Sequence, residues 1–319
     1  MDRGIALVGP GSLDIYLGRD LVLPGGGALN MAWRWARDGD VPFELLTRVG
    51  DDRPEVFRNF LARHAIPHTP ELVTAGDSCS IDIVIRPDLQ PWMDNFVEGV
   101  WAEYALTPDE TRRTQAAGRL HLVLVEGAIR ALEALAAERA LDGVEVTADF
   151  LGFRHYTPDR FARTMRSVDI GFVGWPGHPD DDAVAALRDV AHARGRLVVV
   201  TFGARGVAAF DGRPGGEDAF VPVTAVPVAG TTVGCGDAFI AGFLRAWRLV
   251  PDVHRAIEAG AMRGAEATAW RRPLPDAAYG DDARDALARA DRAALAGAAP
   301  PATDARAPTR EQAARSISE

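Results

Sequence analysis

A glycine-rich turn followed by an aspartate offers the clearest chemistry in the sequence. Residues 231–237 read TTVGCGD and run directly into the apolar stretch AFIAGFLRAW. At the start of a helix, the backbone N–H groups of Gly234, Cys235 and Gly236 would converge on one point, where the helix dipole also favours an anion. Asp237, in the first helical turn, would lie beside that anion and accept a proton from an attacking hydroxyl. The segment alone equally fits a plain glycine turn whose aspartate caps the helix.

A second glycine-rich segment precedes another helix. Residues 25–30 read GGGALN and lead into MAWRWAR. Glycines such as Gly26 let the backbone approach a ligand closely or act as a hinge. One helical turn further on, Asn30 offers a donor and an acceptor, which suit sugar hydroxyls. Asp14 follows the first predicted strand, at the end where α/β sheets place ligands, and could hold a pair of hydroxyls or cap a turn.

Two further glycine motifs follow predicted strands. Residues 201–206 read TFGARG, and Arg205 could meet a phosphate there. Gly9–Gly11 reads GPG after the first strand, but Pro10 removes an N–H group, the third glycine is missing and no helix follows. The sequence therefore argues against a dinucleotide-binding fingerprint at that point.

The absence of lysine excludes several classes of enzyme. The chain has 319 residues with 35 basic and 45 acidic side chains, and every basic residue is arginine. P-loop NTPases and protein kinases need a lysine on the nucleotide phosphates. Schiff-base and pyridoxal-phosphate enzymes need a lysine amine. These four classes are excluded by composition alone.

Net charge, apolar runs and the numbers of cysteines and histidines exclude several kinds of partner and site. The net charge of −10 argues against nucleic acid as a partner, and no apolar run approaches the length of a membrane span or a signal peptide. Two cysteines exclude a disulfide framework, and the seven histidines have no metal-ligand spacing. No Gly-x-Ser-x-Gly elbow supports acyl hydrolysis. We therefore expect a cytoplasmic protein that acts on a small molecule.

The elements that must position these residues alternate along the chain. Short apolar strands alternate with helices, which predicts an α/β fold with a mostly parallel, doubly wound sheet. Thr107 and Thr157 are each followed by proline and an acidic residue, a pattern that starts a helix. Residues 73–100 show period-2 alternation and then a loop, which predicts a small antiparallel flap. The predicted strands are 5–8, 43–49, 80–86, 119–125, 144–149, 168–173, 196–201, 207–210 and 218–223.

Taken together and in this order, the three motifs GGGALN, TFGARG and TTVGCGDAFIAGF resemble the PfkB (ribokinase-like) family of carbohydrate kinases. The resemblance runs over about residues 4–272. It implies a three-layer α/β/α kinase domain over residues 1–280, with a small β lid mainly from about 73–100. The composition of residues 281–319 predicts an Ala/Arg-rich helix and a disordered tail.

The resemblance also implies a role for each motif. Asp237 would be the catalytic base, and the N–H groups of the glycine turn would form the anion hole. ATP and Mg2+ are the implied cofactors. An exposed lid sheet could pair with a second copy of the chain and form a homodimer. The implied substrate is a sugar or a sugar–amine adduct such as fructoselysine. Its binding residues would be Asp14, Gly26, Asn30 and Glu98, and the nucleotide would meet Thr201, Gly203, Arg205 and Gly206.

Three departures from the family pattern qualify these expectations. Thr231 stands where an acidic residue often opens the glycine motif, and Cys235 replaces a smaller residue. The Asn-x-x-Glu motif that helps to organise magnesium is replaced by residues 174–178, GWPGH. The acidic run at 180–182 could substitute for that motif or only cap a helix, and Trp175 could contact the nucleotide or the substrate instead. The sequence therefore leaves open a kinase for a nucleoside or another polyol, and a nucleotide- or sugar-binding protein with little catalysis.

Overall fold

The computed structural model describes residues 4–280, apart from 18–20, 87 and 154–155, together with Leu287. The helix and tail predicted over 281–319 otherwise lie outside the described residues. Leu287 itself is 1% exposed and packs among Tyr16, Leu21 and Ile83.

Eight strands of the described chain form a central sheet. The first six strands across the sheet are mutually parallel, and each of the last two pairs antiparallel with the strand before it. In order across the sheet, the strands are β4 (Phe43–Leu46), β1 (Ile5–Val8), β7 (Arg119–Val123), β8 (Glu145–Asp149), β9 (Ile170–Gly174), β10 (Leu197–Thr201), β11 (Val207–Asp211) and β12 (Ala219–Val221).

Helices cover both faces of this sheet, as the prediction of three layers requires. One core joins one face to α1 (Gly27–Asp38), α2 (Pro54–Arg63), α7 (Cys235–Leu249) and α8 (Val253–Ala267). A second core joins the other face to α4 (Glu126–Ala137), α5 (Pro158–Thr164) and α6 (Asp182–Arg194). The remaining helix, α3 (Pro108–Ala117), contacts β1 and β7.

Strand alternation explains why both faces must be covered. In β10, Leu197 and Val199 belong to one core, whereas Val198 and Val200 belong to the other, and all four are fully buried. A strand that is apolar at every position is stable only between two layers. The predicted doubly wound α/β fold is thereby confirmed.

A separate four-stranded sheet forms the lid. Its strands in spatial order are β3 (Leu21–Gly25), β2 (Ser12–Tyr16), β5 (Cys79–Ile85) and β6 (Pro91–Val97). The prediction of a loop containing Trp92, Met93 and Phe96 is therefore wrong, because these residues belong to β6. Two of the four lid strands, β2 and β3, come from 12–25, outside the predicted range of about 73–100. In β2 the inward positions carry Ser12 and Asp14, so the alternation of apolar residues that predicts a strand is missing there.

The segment after β6 contacts the body of the protein through Trp101, whose hydrogen-bond partner Arg48 belongs to a buried ion pair. The indole N–H of Trp101 donates to the carbonyl oxygen of Arg48 at 2.8 Å, and the Trp101 and Tyr104 rings stack with centroids 3.9 Å apart. The two carboxylate oxygens of Glu110 each accept a hydrogen bond from Arg48 at 2.8 Å. Glu110 also completes the capping box that Thr107 predicts for α3.

The predicted helix starts at Thr107 and Thr157 are confirmed as the N-caps of α3 and α5. Asp181 is the N-cap residue of α6, so the acidic run 180–182 brackets a helix start. No helix in the described part of the chain is both long and apolar enough to cross a bilayer.

Candidate active site

A cavity of about 550 Å³ lies between the lid and the carboxyl ends of the central strands. Four aspartates line it, and no arginine or histidine is among its described lining residues. The aspartates come from separate elements: Asp14 from β2, Asp94 from β6, Asp149 from the end of β8 and Asp237 from α7. The cavity therefore presents negative charge and oxygen acceptors to whatever it binds.

Asp237 is held by a side chain from the other glycine-rich segment. The amide nitrogen of Asn30 donates to a carboxylate oxygen of Asp237 at 2.7 Å, although the two residues are 207 positions apart. Asn30 is 4% exposed, and its own amide oxygen has no hydrogen-bond partner among the described residues. Asn30 lines the cavity, although this oxygen is itself buried. The structure thus brings the two strongest sequence motifs to one point.

Glycine is required where α1 begins beside this pair. A side chain at Gly27 would come within 2.9 Å of the Asp237 carboxylate, and one at Gly26, whose φ is +100°, would meet the carbonyl oxygen of Pro10 at 2.3 Å. Both glycines line the cavity. The absence of a side chain at Gly27 leaves room for the Asp237 carboxylate, and its absence at Gly26 lets the chain pass close to Pro10.

The glycine turn before Asp237 opens into the cavity at two of its three predicted positions. Gly234 (φ +76°) precedes α7, and both it and Gly236 line the cavity. Neither has an acceptor for its N–H among the described residues, as expected at a helix N-terminus. Cys235 N–H instead donates to the Thr232 carbonyl at 3.3 Å, and burial raises the pKa of its thiol to about 12. The turn therefore offers two free donors, with the Cys235 N–H already engaged.

The lid touches this turn directly. The Thr231 hydroxyl donates to the carbonyl oxygen of Leu89 at 3.3 Å, and the Thr232 hydroxyl donates to the Gln90 side-chain oxygen at 2.9 Å. Leu89 and Gln90 connect the two lid strands β5 and β6. Thr231 stands where the family often has an acidic residue, and in this chain its hydroxyl forms a hydrogen bond with the lid.

Asp14 lies within the lid strand β2, not at the end of a central strand as the sequence suggested. Its carboxylate accepts a hydrogen bond from the Ser12 hydroxyl at 2.8 Å, and a side chain at Gly25 would collide with it at 2.2 Å. Burial, reinforced by the charge of Asp237, raises the pKa of Asp14 to about 7 despite the Ser12 hydrogen bond. Asp14 lines the cavity, where a ligand hydroxyl could form the hydrogen bond that water does not make with the buried carboxyl group.

Asp149 is a fourth site residue that the sequence motifs did not reveal. It ends β8, is 6% exposed and accepts the Leu151 N–H at 2.8 Å. Burial and then the charge of Asp237 raise the pKa of Asp149 to about 7. Its place at the carboxyl end of a predicted parallel strand was the available signal.

Comparisons with known proteins agree with this geometry. Residues 171–269 match the model of the pfkB family carbohydrate kinases. The chain is therefore similar to the PfkB carbohydrate kinases. It is 27% identical over 264 residues to fructoselysine 6-kinase of Shigella flexneri and, equally, to that of Escherichia coli K12; each alignment covers 81% of this chain and 94% of the relative. The predicted resemblance to this family is confirmed, and the chain is a phosphotransferase of the carbohydrate-kinase type.

Solved structures share the fold of this kinase. Arabidopsis thaliana ribokinase, complexed with ribose and ATP, superposes with a TM-score of 0.69 at 19% identity, covering 91% of this chain and 99% of that one. Adenosine kinase from Sinorhizobium meliloti superposes with a TM-score of 0.71 at 19% identity, covering 90% and 100%. The ribokinase-like three-layer fold is therefore confirmed.

The predicted nucleotide turn of the kinase reaches the cavity only at its first residue. Thr201 lines the cavity, whereas Gly203, Arg205 and Gly206 do not. The Arg205 guanidinium donates to the backbone carbonyl oxygens of Pro176 at 2.8 Å and Gly177 at 2.5 Å. These bonds tie the turn to the loop after β9, so Arg205 does not point toward a phosphate in the cavity.

The residues that replace the Asn-x-x-Glu motif of the family make internal contacts. Gly174 lines the cavity, but the Trp175 indole N–H donates to the Asp181 carboxylate at 2.9 Å. The same carboxylate oxygen accepts the backbone N–H of His178 at 2.8 Å. Trp175 and Asp181 thus stabilise the start of α6, and the structure does not bring them into the cavity.

Glu98 is also kept from the cavity. One of its carboxylate oxygens accepts the Gly127 N–H, at the start of α4, at 3.3 Å. Asp94, Asn95 and Phe96, which precede it on β6, line the cavity instead. Among the predicted binding residues, the structure brings together Asp14, Gly26 and Asn30 and leaves out Glu98.

A buried arginine lies behind the Asn30–Asp237 pair of the kinase. Arg34, one helical turn after Asn30, is 5% exposed and stacks on Trp270, with its guanidinium carbon 4.7 Å from the ring centroid. Two of its nitrogens have no hydrogen-bond partner among the described residues. Burial raises the pKa of Asp237, whereas the Asn30 hydrogen bond and then the charge of Arg34 lower it, and the balance leaves it above the usual value.

Replacing Arg34 should shift the pH dependence of this kinase. A carboxylate accepts a proton only when ionised, so activity that depends on Asp237 falls as pH drops through its pKa. Arg34→Met removes a nearby positive charge and raises that pKa, which moves the acid limb of kcat/KM to higher pH. The control is Arg37→Met, an exposed arginine one turn away on the Trp33 ring. An unchanged profile for Arg34→Met would contradict this role.

Proposed function

We propose that this kinase transfers the γ-phosphoryl group of ATP to a primary hydroxyl of a sugar or of a sugar–amine adduct of the fructoselysine kind. The observation that carries the proposal is the Asn30–Asp237 pair, joined at 2.7 Å in the wall of the 550 Å³ cavity. A carboxylate fixed at the N-terminus of a helix, beside free N–H donors, combines a base with an anion site.

In this mechanism Asp237 accepts the proton of the attacking hydroxyl. The Asn30 amide fixes one carboxylate oxygen, so the other is free to meet the hydroxyl. Phosphoryl transfer has a loose transition state in which positioning and charge stabilisation do most of the work, so even a weak base suffices. Asp14 and Asn30, which both line the cavity, would hold neighbouring hydroxyls of the acceptor.

The N–H groups of Gly234 and Gly236 would receive the charge of the transferring phosphoryl group. They point from the start of α7, where the helix dipole adds positive potential. The contacts of Thr231 and Thr232 with the lid keep this end of the cavity covered, which limits attack by water. ATP would extend from there across the carboxyl ends of β9 and β10, along Gly174 and Thr201.

Magnesium fits the donors that the cavity provides. Mg2+ prefers oxygen ligands and usually binds through one or two carboxylates together with substrate phosphates and water. The described residues hold no group of three or more His, Cys, Asp or Glu that could form a protein-only metal site. Asp149 is the carboxylate beside the proposed phosphate path and would hold the ion together with phosphate oxygens and water. The ion would supply the positive charge that the described cavity walls lack.

Asp149→Asn should weaken the response to magnesium. We expect the half-saturating Mg2+ concentration for ATP turnover to rise at least about tenfold, because a ligand charge is lost. The ligand-free variant should also gain stability at pH 8 but not at pH 4. The reason is that the pKa of about 7 in the folded state exceeds the usual 3.8, so ionising Asp149 between these pH values costs the folded protein stability. Wild-type magnesium dependence would contradict this role.

Two observations support an amine-bearing acceptor. The relatives matched over 81% of the chain are fructoselysine 6-kinases. The described cavity lining carries four aspartates and no basic side chain, which disfavours acceptors with a net negative charge and suits a neutral or cationic one.

The test is ADP release by the wild-type protein with ATP and Mg2+ over a panel of fructosamines, ketoses, aldoses and nucleosides. Turnover on the fructosamines, with phosphate found on the primary hydroxyl by NMR, is the expected result. Turnover on nucleosides alone would assign a different acceptor. Binding of ATP without turnover on any class would instead favour a binding protein.

A further inference from the structure

The lid presents an apolar face beside the residue proposed to hold the sugar. Asp14 of β2 pairs with Ile81 of β5, and Ile83 of β5 pairs with Met93 of β6. Because residues i and i+2 of a strand share a face, these four side chains lie on the same face of the lid sheet. Asp14, Ile81 and Met93 all line the cavity, and the last two are half-buried. The face that carries the Asp14 carboxylate thus becomes apolar on the next two strands.

A β-bulge adds an aromatic ring to this face. Between two regular pairs of β5 with β6, Asn95 and Phe96 together stand opposite the single residue Ile81. Asn95 has a left-handed backbone (φ +49°), and its side chain donates to Asp82, on the other face, at 2.8 Å. Phe96 is half-buried, lines the cavity and packs against the core that contains Val125. Bulges beside active sites often re-aim a side chain, and this one brings the Phe96 ring to the cavity face.

The opposite face of the same two strands is exposed and more polar. Asp82 and Asp94 stand opposite each other there, and Asp94 is exposed. Val97, directly after the bulge, pairs with Ser80 on this face, is 50% exposed and does not line the cavity. The register of the lid therefore decides which of its side chains reach the cavity, and on β5 and β6 it selects apolar ones.

This apolar face restricts the part of an acceptor that can lie against it. Burying a sugar hydroxyl without a hydrogen-bond partner costs binding free energy. The side chains of Ile81, Met93 and Phe96 offer no strong partner. Only β5 separates β2 from β6, so with neighbouring strands about 4.8 Å apart the two lie about 10 Å apart. An acceptor whose hydroxyls meet Asp14 thus reaches Phe96 with a substituent that passes Ile81.

We propose that Ile81, Met93 and Phe96 form a subsite for an alkyl arm carried on the amine of the acceptor, and that Phe96 selects acceptors with such an arm. Each methylene group buried against these side chains would lower the dissociation constant. The proposal rests on the proposed function for the position of the sugar and adds the part of the acceptor that the lid recognises. Phe96 would contribute to binding and not to the chemical step.

Ligands that differ only in the length of the arm test the proposal. N-methyl-, N-propyl- and N-pentyl-1-amino-1-deoxyfructose carry the same sugar and the same secondary ammonium. Their dissociation constants are measured by calorimetry with Mg2+ and a non-hydrolysable ATP analogue. The ratio of the methyl constant to the pentyl constant reports the burial of the arm alone.

Three variants locate the arm on the lid. Phe96→Ala removes the ring, and Ile81→Thr makes the neighbouring position polar while it stays β-branched. Val97→Ala is the matched control, because it shortens the next apolar side chain of β6, which lies on the other face and does not line the cavity.

In the wild type we expect the dissociation constant to fall about two- to fourfold for each added methylene, and at least about tenfold from methyl to pentyl. Phe96→Ala should reduce that ratio to about threefold or less and leave binding of the methyl ligand within about twofold of wild type. Ile81→Thr should also reduce the ratio, whereas Val97→Ala should keep it.

A wild-type ratio near one would overturn the proposal, as would a ratio that Phe96→Ala leaves unchanged. Equal weakening of all three ligands by Phe96→Ala would assign the ring to the shape of the cavity rather than to the arm, and would overturn the proposal too. If Phe96→Ala does not fold, Ile81→Thr decides by the same criterion.

ADP release by the same proteins with ATP separates this proposal from the proposed function. A chain-length ratio that depends on Phe96, without ADP release, would contradict the kinase mechanism and support the subsite. Phosphorylation of all three ligands with equal KM in wild type and Phe96→Ala would support the kinase mechanism and overturn the subsite.

Discussion

Asp237→Asn should lower kcat by roughly 10²–10⁴-fold while changing the KM values for ATP and acceptor little. The amide is nearly isosteric with the carboxylate and still accepts the Asn30 hydrogen bond, so the cavity keeps its shape. What is lost is the oxygen that takes the proton of the attacking hydroxyl. The measurement is steady-state ADP release with the acceptor that the panel selects.

Asp252→Asn is the matched control for Asp237→Asn. Asp252 caps the next helix, α8, through the N–H of Arg255, and it does not line the cavity. The same acid-to-amide change at a helix start should leave kcat at the wild-type level. Near-wild-type turnover in Asp237→Asn would remove Asp237 from the mechanism.

Glu110→Ala should destabilise the folded protein by about 3–5 kcal/mol. Glu110 is fully buried, and its removal leaves the Arg48 guanidinium, 8% exposed, without its carboxylate partner, while its hydrogen bond to the Thr47 carbonyl oxygen remains. Burial by itself would raise the pKa of Glu110, but the hydrogen bonds from Arg48 hold it below the usual value, so both partners of this pair are charged. Urea denaturation at pH 7 measures the loss of unfolding free energy.

Two further variants show whether the buried charge is the cause. Glu55→Ala removes an exposed glutamate that pairs with Arg58 and should change stability by less than about 1 kcal/mol. Arg48→Met combined with Glu110→Met should recover much of the loss, because no unpaired charge remains. If the double variant is as unstable as Glu110→Ala, lost packing rather than the unpaired arginine explains the effect.

The sequence predicted the body of the molecule well because several of its strands are near-continuous apolar runs. The runs that became β1, β7 and β10 are buried on both faces, and only a covered parallel sheet accommodates them. The N-caps at Thr107 and Thr157 were equally readable, because they depend on local hydrogen bonds alone.

The lid and part of the site were harder to predict from the sequence, because function determines which residues stand there. β2 turns Ser12 and Asp14 toward the cavity, and a bulge at Asn95 and Phe96 interrupts β6, so neither strand shows the usual apolar alternation. The contacts of Arg205 could not be predicted from the sequence, because its guanidinium is held by carbonyl groups of a loop 28 positions away. Such contacts arise only when distant segments meet.

The motifs at 25–30 and 231–237 nevertheless predicted where the site would form. Their polar side chains meet as the Asn30–Asp237 hydrogen bond, and that contact is the centre of the account. Asp149 was missed because a single acid at the end of a strand is not distinctive without its neighbours. Arg34 was missed because a helical arginine is usually solvated.

A single-turnover experiment tests the central claim most directly. Enzyme in excess over γ-labelled ATP is mixed with saturating fructosamine and Mg2+, and the formation of sugar phosphate is followed by rapid quench in wild type and Asp237→Asn, with ATP binding measured on the same preparations. We expect sugar phosphate from the wild type and a transfer rate at least about a hundredfold lower in the variant, at unchanged ATP affinity. Equal transfer rates in the two proteins, or no sugar phosphate from a wild type that binds ATP, would contradict it.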